Sequence, residues 1–145
     1  MNENTELLEY IYQTAEMGVF STTKLIEDIN GKENKIKKVI EGILKDYEKF
    51  LKDSKKMLVK KKTEIKENSA LSKMGASMGI KKEVKEDNSD AAIAHMMIEG
   101  LTMGTVDISS KIKNYEGDAD KDILSLAKKF LKFQKESIEF LKKYL

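Results

Sequence analysis

The sequence predicts an all-α protein, with residues 1–145 forming a single domain built as a four-helix bundle. Three observations lead to this prediction. Apolar residues recur every three or four positions through four long segments, and no segment shows the sustained alternation of a β-strand. The composition combines 36% charged with 40% hydrophobic residues and contains no proline, which is typical of a charge-rich helical protein. A long linker at residues 66–87 separates the second segment from the third.

The first helix is predicted over residues 4–29 and the second over residues 33–64. Asn30 and Gly31 end the first helix, because both residue types tolerate the left-handed backbone that closes a helix. The fourth helix is predicted over residues 119–145. Three acidic residues near its start suit a helix cap and the positive end of the helix dipole: Asp118, Asp120 and Asp122.

The third helix, predicted over residues 89–115, is apolar on nearly every side between residues 91 and 108. A helix of this kind is expected to be buried all round. Gly100 and Gly104 each cost about 1 kcal/mol relative to alanine inside a helix, so we interpret them as points of close packing against a neighbouring segment. The apolar surface of this helix is larger than one stripe facing a bundle core requires. The alternative to complete burial is therefore a contact with a second copy or another protein, through this helix or the crossover.

The linker at residues 66–87 is longer than an antiparallel turn requires. The second predicted helix is about 45 Å long, and a partly helical linker of this length can just span it. We therefore expect one long crossover that lets the third helix start at the same end as the second. Its apolar flank consists of Leu71, Met74, Met78 and Ile80. An alternative is a helix lying on a membrane surface, which four lysines would favour: Lys73, Lys81, Lys82 and Lys85.

Composition excludes several classes of site and partner. The chain contains no cysteine, so disulfides, thiolate zinc sites and cysteine nucleophiles are excluded. The first residues lack the basic and apolar pattern of a secretory signal, no stretch is apolar enough to span a membrane, and we expect a cytoplasmic protein with no membrane partner.

Charge argues against nucleic acid as a partner. All 27 basic residues are lysines and the net charge is +2. Residues 1–30 and 83–122 are acidic, while residues 45–66 and 123–145 are basic. Neighbouring helices of opposite charge can pair across their flanks, so the lysine cluster within residues 55–62 is interpreted as a solvated or internally complemented face. No nucleic-acid partner is expected.

Four stretches resemble the ferritin-like superfamily, in particular its small bacterial members of unassigned function. They are YQTAEMGVFSTTKLIEDI in the first helix, DYEKF in the second, SALSKMGASMGIK in the linker and AHMMIEGLTMGTVDI in the third helix. The resemblance covers nearly the whole chain and implies a ferritin-like four-helix bundle with one long crossover between the second and third helices. Because these are features of a fold, they do not carry a function.

The di-iron members of that superfamily use one Glu from each of two helices and Glu-x-x-His from each of the other two. Glu16 and Glu99 could stand for the single carboxylates. The second and fourth helices lack the motif, since their inward positions are aromatic or amide side chains: Tyr47, Phe50, Phe130 and Gln134. We therefore expect no di-iron cage and no iron oxidation or storage.

The remaining candidate site is a single divalent metal ion held by Glu16, His95 and Glu99. His95 and Glu99 are four residues apart and share one helix face. The competing interpretation is a buried or half-buried histidine that is hydrogen-bonded to Glu99 or to a neighbouring helix. No serine has a strand-to-helix turn that would make it a nucleophile. We expect no catalytic residues and no resident cofactor. The sequence favours a non-catalytic binding or structural module. The alternative is a divalent-metal-binding protein or a degenerate di-metal oxidoreductase.

Overall fold

The computed structural model describes residues 3–145, with the side chains from residue 5 onward, and this part of the chain contains helices and no strands. The all-α prediction is confirmed for these residues. The number of helices differs from the prediction, because the predicted crossover itself contains a full helix. The five helices are α1 (Glu3–Asp28), α2 (Lys37–Lys60), α3 (Ala70–Glu86), α4 (Asp90–Tyr115) and α5 (Lys121–Lys142).

The helix ends follow local sequence signals at most boundaries. Gly31 has a positive φ of 81° and ends the turn after α1, as predicted. Ser69 and Ser89 cap α3 and α4, and their hydroxyl oxygens accept hydrogen bonds from the backbone N–H groups two positions inside each helix, at 3.1 Å. These bonds satisfy donors that a helix start would otherwise leave unpaired.

The second helix is shorter at both ends than the prediction of residues 33–64. At its start, the backbone N–H of Lys35 donates to the carboxylate of Asp90 at 3.1 Å, so a tertiary contact holds this residue before α2. At its end, Lys62 adopts a left-handed conformation with φ 55°, and the N–H of Thr63 donates back to the carbonyl of Leu58. That backbone reversal closes α2 before residue 64.

Two helix pairs, α1 with α2 and α4 with α5, make the most extensive contacts, and α1 also contacts α3, α4 and α5. The largest fully buried side chains come from all four of the paired helices and from the turn before α2: Leu7, Leu8, Ile11, Ile29, Ile36, Ile40, Leu58, Ile93, Ile108, Ile123, Phe130 and Leu141. None of the helices described is both long and apolar enough to cross a membrane.

Polar contacts fix how the helix ends meet. The side-chain amide of Asn34, just before α2, donates to the carbonyl of Asn88 at 2.9 Å and to the carboxylate of Asp90 at 2.8 Å. The starts of α2 and α4 are therefore neighbours. At the other end, Lys61 donates to Asp120 at 2.8 Å, which joins the end of α2 to the start of α5.

Helix α3 packs mainly on α1. Its contact face includes the buried Val84 and the half-buried Ile80. The other three residues of the predicted apolar flank face solvent, with exposed fractions of 80% for Leu71, 59% for Met74 and 66% for Met78. Only Ile80 of that flank packs against the core.

The expectation that the third predicted helix is buried on every side is wrong. One face of α4 is buried through Ile93, Ala94, Leu101, Ile108 and Ile112. The other face is open, because α3 packs on α1 and leaves Met103 and Val106 exposed at 70% and 64%.

Candidate functional site: an apolar cleft between three helices

An open cleft of about 600 Å³ lies between α1, α3 and α4, which we call the α1/α3/α4 cleft. Its volume falls within the range of small-molecule sites. Most of its lining is apolar, and methionines predominate: Met17, Leu25, Ile80, Met96, Met97, Leu101 and Met103. Thioether side chains are unbranched and polarisable, so this lining can adapt its shape to an apolar occupant.

Glycines shape the walls of the cleft. The Cβ of an alanine at Gly100 would meet nothing within 4 Å, so the absence of a side chain there widens the cleft. Gly104 is different, since a Cβ at this position would lie 2.7 Å from Nε2 of Gln134 on α5. The interpretation of close packing therefore holds at Gly104 and is wrong at Gly100.

Polar side chains also line the cleft, among them Tyr10, Thr14 and Asp107. Tyr10 interacts with Thr14 and Asp107, and Nζ of Lys111 lies 4.8 Å from the centre of its ring. Burial is the main reason that the pKa of Tyr10 is raised above its ordinary value, to which Asp107 adds. Asp107 is the one charged side chain of the described lining.

Tyr47 of α2 also lines the cleft and packs edge-on against the rings of Phe130 and Phe133. Burial, with a smaller contribution from Tyr10, raises its pKa to about 12. Both phenols are therefore neutral near pH 7, and the lining of the cleft offers neutral hydroxyl groups within an apolar surface.

Glu16, predicted as a metal ligand, is an anchor for the segment that leads into α3. Its carboxylate accepts hydrogen bonds from the side chain of Asn68 at 2.7 Å and from the backbone of Asn68 at 3.0 Å. It also forms an ion pair with Lys73. Burial raises the pKa of Glu16, but the hydrogen bonds from Lys73 and Asn68 together lower it below its ordinary value.

His95 and Glu99 lie on the solvent side of α4. Nε2 of His95 is 2.6 Å from the Glu99 carboxylate, and the two side chains are 70% and 68% exposed. The predicted contact with Glu99 is present, but the burial expected for His95 is not. Within residues 5–145, no group of three or more histidine, aspartate or glutamate side chains is placed to hold a metal ion, so Glu16 does not join the pair.

The inward positions of α2 and α5 are filled by aromatic rings. Tyr47 and Phe133 are 5.0 Å apart between ring centres, and Phe50 and Phe130 are 4.9 Å apart, both in edge contact. Gln134 is also buried, and its Oε1 has no hydrogen-bond partner among the described residues. No carboxylate occupies these positions on α2 and α5.

Sequence reasoning found several of the cleft residues without finding the cleft. Met96, Met97 and Met103 lie in the apolar stretch of residues 91–108 for which burial was predicted, and Met96 and Met97 are half-buried while Met103 is 70% exposed. The missing information was the position of α3, since its docking on α1 alone creates the opening beside α4.

The fold and the site define a small all-α protein with an adaptable apolar cleft and a separate, exposed His–Glu pair. No protein-family model matches the chain, and no characterised protein or solved structure matches it.

Proposed function

We propose that the chain is a non-catalytic binding module built on a ferritin-like four-helix scaffold that lacks a di-iron cage. In this proposal α1, α2, α4 and α5 are the bundle and α3 is the crossover. Two observations support the scaffold: the pairing of α1 with α2 and of α4 with α5, and the adjacent starts of α2 and α4. The aromatic and amide side chains at the inward positions of α2 and α5 support the absence of a cage.

The observation that carries the proposal is the α1/α3/α4 cleft, which receives the apolar face of a helix. The cleft is a groove with α1 as its floor and α3 and α4 as its walls, so its form suits a helix laid into it. Covering the exposed methionines removes apolar surface from water, at about 25 cal/mol per Å². The open space at Gly100 allows the occupant to approach the α4 backbone closely.

The chemistry of the cleft favours binding over catalysis. Its ionisable lining consists of one exposed carboxylate, Asp107, and the two neutral phenols of Tyr10 and Tyr47. The sole histidine, His95, is absent from this lining. A general base beside a nucleophile is the usual arrangement for covalent catalysis, and the cleft lining does not contain one.

The test uses the uncharged fluorescent probe N-phenyl-1-naphthylamine, which becomes brighter in apolar surroundings. Gly100→Phe fills the cleft without a steric clash at Cβ, and Gly42→Phe is the matched control, because Gly42 is also helical, has open space and lies outside the cleft. We expect wild type and Gly42→Phe to bind the probe and Gly100→Phe to bind it at least tenfold more weakly. Equal binding by all three proteins would contradict the proposal.

A divalent-metal-binding protein is the second candidate, and the preformed contact between His95 and Glu99 is the observation that favours it. Two ligands on one helix face form only part of a coordination shell. Metal analysis of the purified protein tests this candidate. A stoichiometric ion that is lost in His95→Ala would support it, and a wild type with no bound ion would count against it.

A further inference from the structure

The crossover helix α3 has a second apolar face that points away from the bundle. Leu71, Met74 and Met78 are spaced three and four residues apart, so they form one stripe along the helix. We call these three residues the α3 stripe. The face that packs on α1 contains Ile80 and Val84 and is turned from the stripe by about 130° around the helix axis, at about 100° per residue. The α3 stripe is therefore not required for docking α3 on its own bundle.

Exposed apolar side chains are concentrated on α3 and α4. Eight large hydrophobic residues are exposed in the described chain, and five of them lie on α3 or α4, which form the two walls of the cleft. Met103 and Val106 are the two on α4. An accumulation of this kind marks an interaction surface rather than the scattered apolar residues of an ordinary surface.

The charges of the two walls are complementary. The outer part of α3 carries Lys81 and Lys82, both exposed. On α4, the charged side chain of the cleft lining is the exposed carboxylate of Asp107, whereas Glu99 lies on the solvent side with His95. A basic helix with an apolar stripe therefore suits an apolar cleft whose charged lining residue is the carboxylate of Asp107, and α3 is itself such a helix.

We propose that two copies of the chain associate with the α3 stripe of each copy seated in the α1/α3/α4 cleft of the other. The inference rests on the proposed function, and it names the α3 stripe of a second copy as the occupant of the cleft. Stripe and cleft share α3, so one surface can meet its own copy about a two-fold axis. Nineteen residues line the cleft and four further exposed apolar residues flank it, which agrees with the roughly 20–30 residues that each partner contributes to a standard interface.

Sedimentation velocity over a range of micromolar concentrations tests the association. The double variant Met74→Glu, Met78→Glu places two charges in the α3 stripe, and Val59→Glu on α2 is the matched control, since Val59 and Met74 are both 59% exposed. We expect wild type and Val59→Glu to form dimers and the double variant to associate at least tenfold more weakly. Circular dichroism is expected to show the same helix content in all three, because the substituted side chains are exposed.

Charge reversal tests the orientation of the two copies. Lys81→Glu with Lys82→Glu is expected to weaken the dimer, and adding Asp107→Lys to the same chain is expected to restore part of the lost association. A dimer that persists unchanged in the Met74→Glu, Met78→Glu variant, or charge reversals that have no effect, would overturn the proposed interface.

The fluorescent probe separates failure of this inference from failure of the proposed function. In wild type, probe bound per chain should fall as protein concentration rises, because the second copy covers the cleft. In the Met74→Glu, Met78→Glu variant, the amount of probe bound per chain should stay constant as protein concentration rises. If wild type is monomeric at every concentration and its probe binding is still weakened by Gly100→Phe, the dimer is overturned and the binding module is left intact.

Discussion

Substitution of Gly18 by alanine tests how closely α1 packs on the aromatic cluster. A Cβ at this position would lie 2.6 Å from Cζ of Tyr47 and still closer to two further ring atoms. The ring has little room to move away, because its centre is 5.0 Å from that of Phe133 and 6.3 Å from that of Phe130. Gly18→Ala must therefore shift a helix or distort the cluster.

The matched control is Gly100→Ala, since Gly100 is also inside a helix but has open space around the added Cβ. Both substitutions gain about 1 kcal/mol of helix propensity, so the difference between them isolates the steric cost. Overpacking of a well-packed site costs about 1–3 kcal/mol, which is the expected difference in the free energy of unfolding. Gly100→Ala alone should be more stable than wild type.

The measurement is urea unfolding and thermal unfolding of both variants, followed by circular dichroism. For a chain near 150 residues, a difference of 1 kcal/mol shifts Tm by about 2–4 °C. The double variant Gly18→Ala, Tyr47→Leu should destabilise by less than the sum of its single changes, because the smaller side chain removes the clash. Equal stability of Gly18→Ala and Gly100→Ala would refute the packing described for α1.

Three further predictions concern buried and charged groups. Gln134→Met should raise the free energy of unfolding by about 1 kcal/mol, measured in urea, because it removes a buried oxygen that has no hydrogen-bond partner; a lower value would contradict this. The pKa of Glu16 is lowered in the folded state from its ordinary value of 4.5, so its stabilisation is present above that value and is lost as the pH falls through the folded pKa. Glu16→Gln should therefore destabilise the protein at neutral pH and flatten this acid loss, and a parallel shift of the whole stability curve would argue against the anchor. A gel-shift assay at physiological salt should show no binding of DNA or RNA, because the lysine cluster is solvated or paired internally, as in the contact of Lys61 with Asp120. A shifted band that is weakened by charge reversal at residues 60–62 would contradict this view.

Local and periodic features of the fold could be predicted from the sequence. The apolar stripe of α1 has a helical period, and its buried members include Leu8, Ile11 and Ala15. Gly31 is a strong boundary signal and acts as predicted, and the start predicted at residue 89 is where the Ser89 hydroxyl caps α4. These features depend on residues close together in the chain, so little tertiary information is needed.

Features set by contacts between distant segments could not be predicted. Apolar residues lie on nearly every side of α4, but the sequence does not say whether the segment at residues 66–87 covers the outer face of this helix. That depends on where α3 docks, which Glu16 and Asn68 help to fix through bonds between residues 52 positions apart. The same bonds occupy a carboxylate that spacing alone had offered to a metal ion.

Methionine methyl NMR tests the central claim, that the α1/α3/α4 cleft is a binding surface for the α3 stripe of a second copy. The protein is labelled with ¹³C-methyl methionine and its spectrum is followed on dilution. Met96, Met97 and Met103 report on the cleft, Met74 reports on the stripe, and Met57, which packs against the core from α2, is the internal reference. The account predicts that the cleft and stripe signals shift together with one dissociation constant while the Met57 signal stays fixed. Signals that do not change with concentration, or that change at Met57 and not in the cleft, would contradict it.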